Sequence, residues 1–133
     1  MTDVSLSSAE ELVVTLGGTQ GPPGPRGDYP QDPSDLAPAA SVDIDASLSA
    51  VYRLTADQDF TLNKPTEGVD GQRLMMVVTQ GTGGSHTITL GAGINFGPIS
   101  VTLSTVEGAI DVIGLMFNEP TDEWLVIAFS RGY

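Results

Sequence analysis

The sequence has no cysteine, one histidine (His86), and five basic residues against seventeen acids. Each shortage closes a line of chemistry. Without cysteine there is neither a disulfide framework nor a thiolate nucleophile or metal ligand. A single histidine builds no histidine metal cluster. Its neighbour Ser85 points to the opposite face of a strand, which is wrong for a nucleophile–base pair. The net charge of −12 opposes binding to nucleic acid, whose phosphates need a basic surface, and to an anionic membrane. No apolar run approaches the ~20 residues of a membrane span. Residues Met1 to Leu6 lack the basic and apolar regions of a secretion signal, so the expected route is production and use without Sec export. Aromatics are sparse too: Tyr52, Tyr133 and Trp124 are the candidates for stacking on a sugar, with Trp124 better read as core or interface packing.

Glycine and proline, in contrast, are plentiful, at sixteen and nine residues. Gly18, Gly21, Gly24 and Gly27 fall at every third position, with Pro22-Pro23 and Pro25-Arg26 between them. That is the pattern of a collagen triple helix, where only glycine fits at the crowded axis of three polyproline-II chains. A Gly/Pro-rich flexible linker is the plainer reading. The four in-phase glycines favour the wound neck and, with it, a homotrimer. Four triplets span only about 35 Å at about 3.1 Å per residue, too short for a stable rod alone. Trimerisation is therefore expected to come mainly from a folded domain. Arg26-Gly27-Asp28 spells a cell-adhesion tripeptide, but both flanking residues sit naturally around an obligatory glycine.

A length of 133 residues allows one modest domain plus an appendage. Residues 1–17 read as an attachment segment, 18–29 as the collagen-like neck, 30–49 as an extended acidic linker, and 50–133 as a β-sandwich knob. In the first of these, Ser8 and Glu11 suit a capped helical turn, while Leu12, Val13, Val14 and Leu16 suit a strand equally well. Neither form buries itself alone, so these four apolar residues are the attachment candidates; a frayed terminus is the alternative.

From Ala50 onward, short apolar runs alternate with turn residues. Val51 to Leu54 and Phe60 to Leu62 read as strands around a turn at Ala56-Asp57-Gln58. Leu74 to Thr79 and His86 to Leu90 read as a hairpin about the loop Gly81 to Gly84. Shorter strands are expected at Ile94 to Phe96 and Val101 to Leu103. A last hairpin joins Ala109–Phe117 to Trp124–Phe129. No segment holds a helical period. The expectation is an all-β, antiparallel sandwich or barrel-like domain. Met75-Met76-Val77-Val78 and Trp124 to Phe129 are apolar at both parities, so both faces of those strands are expected to be covered, the second by sister chains.

No catalytic, cofactor or metal site emerges, and the chain reads as a non-enzyme. Gly81 to Gly84 lacks the lysine and helix of a phosphate loop. Asp57, Asp59, Glu67 and Asp70 occupy turn positions that aspartate favours for geometry; a Ca²⁺ site or a glycosidase pair drawn from them is the sharper alternative. Asp111, between Ile110 and Val112, is expected to face solvent or a hydrogen-bond partner.

The run Phe60-Thr61-Leu62-Asn63-Lys64-Pro65 with Val69 to Leu74, Gly91 to Phe96, Gly108 to Leu115 and Glu123 to Tyr133 resembles a β-domain found at the C-termini of phage virion proteins. Such domains occur on minor tail proteins and fibres, often after collagen-like repeats. The resemblance covers about residues 55–133 and brings no catalytic motif. It implies a protein of the virion surface, made in the host cytoplasm. The short head and brief neck favour a trimeric capsid decoration (head fibre) protein, docked to the major capsid protein through residues 1–17. The alternative is a tail-fibre knob that recognises a host cell-surface glycan.

Overall fold

The structure is a computed structural model that describes residues 32–133. Nine strands and one 3-10 turn make up its regular elements: β1 (Ser34–Asp35), β2 (Ser41–Val42), β3 (Val51–Ala56), β4 (Phe60–Leu62), β5 (Arg73–Gln80), β6 (Ile88–Leu90), β7 (Ile94–Asn95), β8 (Ile110–Asn118), the turn Glu119–Thr121, and β9 (Glu123–Ser130). The domain is all-β, as the patterning predicts. The proposed neck glycines Gly18, Gly21, Gly24 and Gly27, and the attachment residues Leu12, Val13, Val14 and Leu16, lie outside the described residues.

Two sheets enclose the core. One has six strands in the order β1-β3-β5-β8-β9-β7, and the other three in the order β2-β4-β6. From β1 to β6 the chain alternates between them, one strand in each, so it winds three times around the core. Successive strands of each sheet along this stretch are parallel: β1 with β3, β3 with β5, β2 with β4, and β4 with β6. Antiparallel pairing is confined to β5-β8 and β8-β9. The hairpin of β8 and β9 is as expected from sequence.

The expected hairpin across Gly81 to Gly84 is not there. Its arms, β5 and β6, belong to different sheets. Gly83, Gly84 and Ser85 all take positive φ, at 89°, 62° and 60°. A two-residue hairpin turn folds a strand back on its neighbour; this run of left-handed residues instead carries the chain across to the facing sheet. Val51 to Leu54 and Phe60 to Leu62 likewise separate into the two sheets. Val101 to Leu103 forms no strand, although Leu103 is buried.

A second correction concerns the linker. In Ser41-Val42-Asp43-Ile44-Asp45-Ala46 the apolar residues stand at every second position, and Val42, Ile44 and Ala46 are all core residues. The domain therefore begins near Ser34, not at residue 50. The acids between them point outward, which is how an acidic stretch hides a strand's period of two.

Alternation also builds the large sheet's inner face. Tyr52, Leu54 and Ala56 of β3, Leu74, Met76 and Val78 of β5, Ile113, Leu115 and Phe117 of β8, and Trp124 and Val126 of β9 all point into the core. Tyr52, an expected exposed aromatic, is fully buried: its hydroxyl donates to the Asp45 carbonyl and accepts from Ser49 N at 3.0 Å. That desolvation raises the phenol's pKa above its ordinary value. Trp124 is also fully buried, with Nε1 donating to the Pro65 carbonyl at 3.1 Å and its ring 5.2 Å from that of Phe117. Core packing, not sugar stacking, is its role.

Candidate functional site

The two ends of the domain differ. The described chain comes in at Asp32, whose carbonyl accepts the Ser49 hydroxyl at 2.8 Å. Strands β1, β3 and β5 all start at this end, together with the 3-10 turn that joins β8 to β9. The opposite end carries four loops in a row: Asp57–Asp59, Gly81–Thr87, Thr105–Ala109 and Arg131–Tyr133. These loops lie opposite the end where the described chain begins.

Side chains and backbone tie those loops into one surface. Thr87 N donates to Asp59 Oδ1 at 2.8 Å, Gly83 N to Glu107 Oε1 at 3.1 Å, and Ser85 N to the Thr105 carbonyl at 2.8 Å. His86 Nε2 lies 3.0 Å from the Thr82 carbonyl, an ordinary loop contact. Below them Asp111 is fully buried. Its carboxylate accepts Ser104 N at 2.6 Å, Ser104 Oγ at 2.8 Å and Gly132 N at 2.9 Å. A buried carboxylate needs such partners; here they anchor two of the four loops. Asp111 thus meets hydrogen-bond partners, one of the two expectations for it.

Tyr133 is held by its backbone and displayed by its ring. Its N–H and carbonyl pair reciprocally with Ile110 at 3.0 and 3.2 Å. Its hydroxyl sits 2.8 Å from Ser130 Oγ, and the side chain is 71% exposed, as is Val106 nearby. An exposed aromatic face at the same end as the loops that carry Asp57, Gln58, Thr82 and Glu107 offers a stacking surface, and those loops the polar groups, that hydroxyl-rich ligands engage.

From this end a groove runs down the side of β6, the edge strand of the small sheet. Two clefts of about 280 and 340 Å³ form it, with Ile88 and Val101 lining both. Phe96 stands at the lower cleft, 48% exposed, with Thr89 and Ser100. Sequence reading passed over Phe96 by treating it as the end of a strand. The signal was present: Gly97-Pro98 directly follows it, and β7 stops at Asn95.

A third cleft, about 490 Å³, lies at the other end, lined by Ser47, Glu67, Gln72 and Arg73. Glu67 sits there at φ 61°. Of the four turn carboxylates, Asp57 and Asp59 lie at the far end, whereas Glu67 and Asp70 lie at this one. The domain does not bring the four together. Asp59 caps Thr87 N, and Asp70 Oδ1 accepts Glu119 N at 3.0 Å. Among the described residues no group of three or more His, Cys, Asp or Glu is placed to hold a metal ion.

Residues 37–119 match the family model described as "Putative phage tail fibre C-terminal domain". No curated protein and no solved structure matches the chain. The matched span starts within the segment that the structure adds to the domain and covers every strand from β2 to β8. By this match over more than half of its length, the chain belongs to the phage tail fibre C-terminal domain family.

Proposed function

We propose that this protein is the trimeric receptor-binding knob of a phage tail fibre, and that its far-end loops and the Phe96 groove take a host cell-surface glycan. Family membership supports a fibre of the tail over the capsid decoration expected from the short head and neck. The observation that carries the reading is the placement of Tyr133, exposed and backbone-anchored, among the polar loops farthest from where the described chain begins. Residues 1–17 attach the chain to the virion, and residues 18–29 wind three copies into a neck. Three equivalent sites multiply a weak sugar contact, because the second and third bind at high effective concentration.

The test joins location to binding. Antibody against the β-domain should label tails of intact virions. In the full-length protein, Tyr133→Ala and Phe96→Ala should each weaken binding to purified host envelope polysaccharide by about tenfold, which is about 1.4 kcal/mol. Labelled heads, with adsorption and polysaccharide binding unchanged in both variants, would return the protein to the capsid shell.

A further inference from the structure

The large sheet has a second apolar face, and it lies open. Strand register places Val51 of β3, Met75 and Val77 of β5, and Val112, Gly114 and Met116 of β8 on the side away from the core. On β9, Leu125 lies opposite Met116, and Ala128 opposite Gly114. The register shift between Gly114 and Leu115 leaves Ile127 unpaired on the same strand. Met75 is 40% exposed and Ile127 46% exposed. The nearest atoms that a Cβ on Gly114 would meet are Met75 Sδ, the Ala128 methyl and Ile127 Cγ1, at 3.4–3.6 Å. The centre of this face is therefore a shallow dimple ringed by apolar groups. A solvated sheet face normally reads polar. This one does not across the middle of β5, β8 and β9, with Val51 of β3 beside them.

We propose that this face is where copies of the chain meet, three outer sheets packed around a common axis. The assignment rests on the trimeric reading above and names its surface. Three observations select a copy of this chain as the occupant. First, the glycine triplets at Gly18 to Gly27 have the sequence pattern of a three-chain assembly. Second, the chain downstream of those triplets comes into the domain through β1, which is the edge strand of this same sheet. Third, the charge fits. At −12 per chain, copies repel one another over most of their surface. On this face the acids Asp35 and Glu123 at its margins are matched by Arg53 and Arg73. The face is apolar and near neutral on a strongly acidic protein, so it is the place where two copies approach without that repulsion. A hollow of about 340 Å³, bounded by Asp35, Arg53, Val77 and Thr79, gives a partner's side chain somewhere to seat.

The experiment uses the full-length chain in two ways. Light scattering first gives its mass in solution, alone and with the double substitution Met75→Glu/Ile127→Glu. Both positions reach water in the single chain, so the charges leave its core packing alone. Expected are a trimer for the unaltered protein and a monomer for the variant, which keeps its β-sheet circular dichroism. A monomeric unaltered protein overturns the trimeric reading itself. A trimeric variant overturns this face while leaving the trimer standing. The second measurement needs no disruptive change. Because the sequence has no cysteine, Ile127→Cys and Val106→Cys each carry a single thiol. Alkylation at position 127 should run about tenfold or more slower than at 106, since only the dissociated fraction reacts. Equal rates in a trimer overturn the assignment.

Discussion

Gln80 holds His86 by both of its backbone groups. The amide, 2% exposed at the end of β5, donates from Nε2 to the His86 carbonyl at 2.7 Å and accepts His86 N–H on Oε1 at 3.1 Å. One side chain of the large sheet thereby acts as a strand partner for the loop that leads into β6, the edge strand of the small sheet. Gln80→Leu fills the same space but leaves both His86 groups unpaired. The expected loss is about 1–3 kcal/mol, read as a lowered denaturant midpoint with an unchanged slope. An unaltered midpoint would show that water replaces the amide.

Asp111 sets the second expectation. Asp111→Ala strands Ser104 N, Ser104 Oγ and Gly132 N at a fully buried position. It should destabilise by about 3 kcal/mol or more, because hydrogen bonds to a charged group are the costly ones to lose. Asp111→Asn keeps an acceptor for two of the three donors and turns an N–H toward the third. Chemical denaturation should rank it between the parent and the alanine variant. Amide exchange should quicken at Ser104 and Gly132 in both variants. A substitution that spared these two amides would mean that the loops hold without the carboxylate.

The third expectation is alkaline. Burial raises the Tyr52 pKa, so the folded state keeps this phenol neutral at a pH where the unfolded chain ionises it. For a raised pKa the contribution is complete below the unfolded value of about 10 and is lost as pH rises through the folded value. The thermal midpoint should therefore fall as pH climbs above about 10. Tyr52→Phe should remove most of that dependence, at the cost of the Ser49 and Asp45 contacts. A variant that kept the full alkaline fall would place its origin elsewhere.

Local pattern was legible in the sequence wherever a strand sits half in the core and half out. The strands over Val51–Ala56 and Arg73–Gln80 are such alternations, although Tyr52 was expected to be exposed and instead points inward with Leu54 and Ala56. The β8–β9 hairpin was legible too, because its turn Asn118 to Asp122 joins two long strands that are neighbours in the sheet. Partner choice was not. A period of two is the same whether a strand pairs with its predecessor or with one two elements away. Only the left-handed run from Gly83 to Ser85 decides that β5 and β6 part company, and φ at Ser85 is not written in its side chain. Val42, Ile44 and Ala46 were missed because Asp43 and Asp45 between them gave the segment the composition of a tether. Within the candidate site, Tyr133 was legible as an exposed aromatic. Phe96 was not, because its exposure depends on the strand stopping one residue short.

The winding of the first six strands bears on how the protein is made. Three circuits of chain leave the inner flank of β5 bare until β8 lies against it, and Ile113, Leu115 and Trp124 complete the core only with the last hairpin. Ribosomes make those residues after the core residues of every earlier strand. A nascent or prematurely ended chain that stops before Ile110 lacks both the strand that covers β5 and the tryptophan that fills the core. Such a fragment has no closed domain, so the order of translation makes synthesis of the β8–β9 hairpin the condition for a complete core.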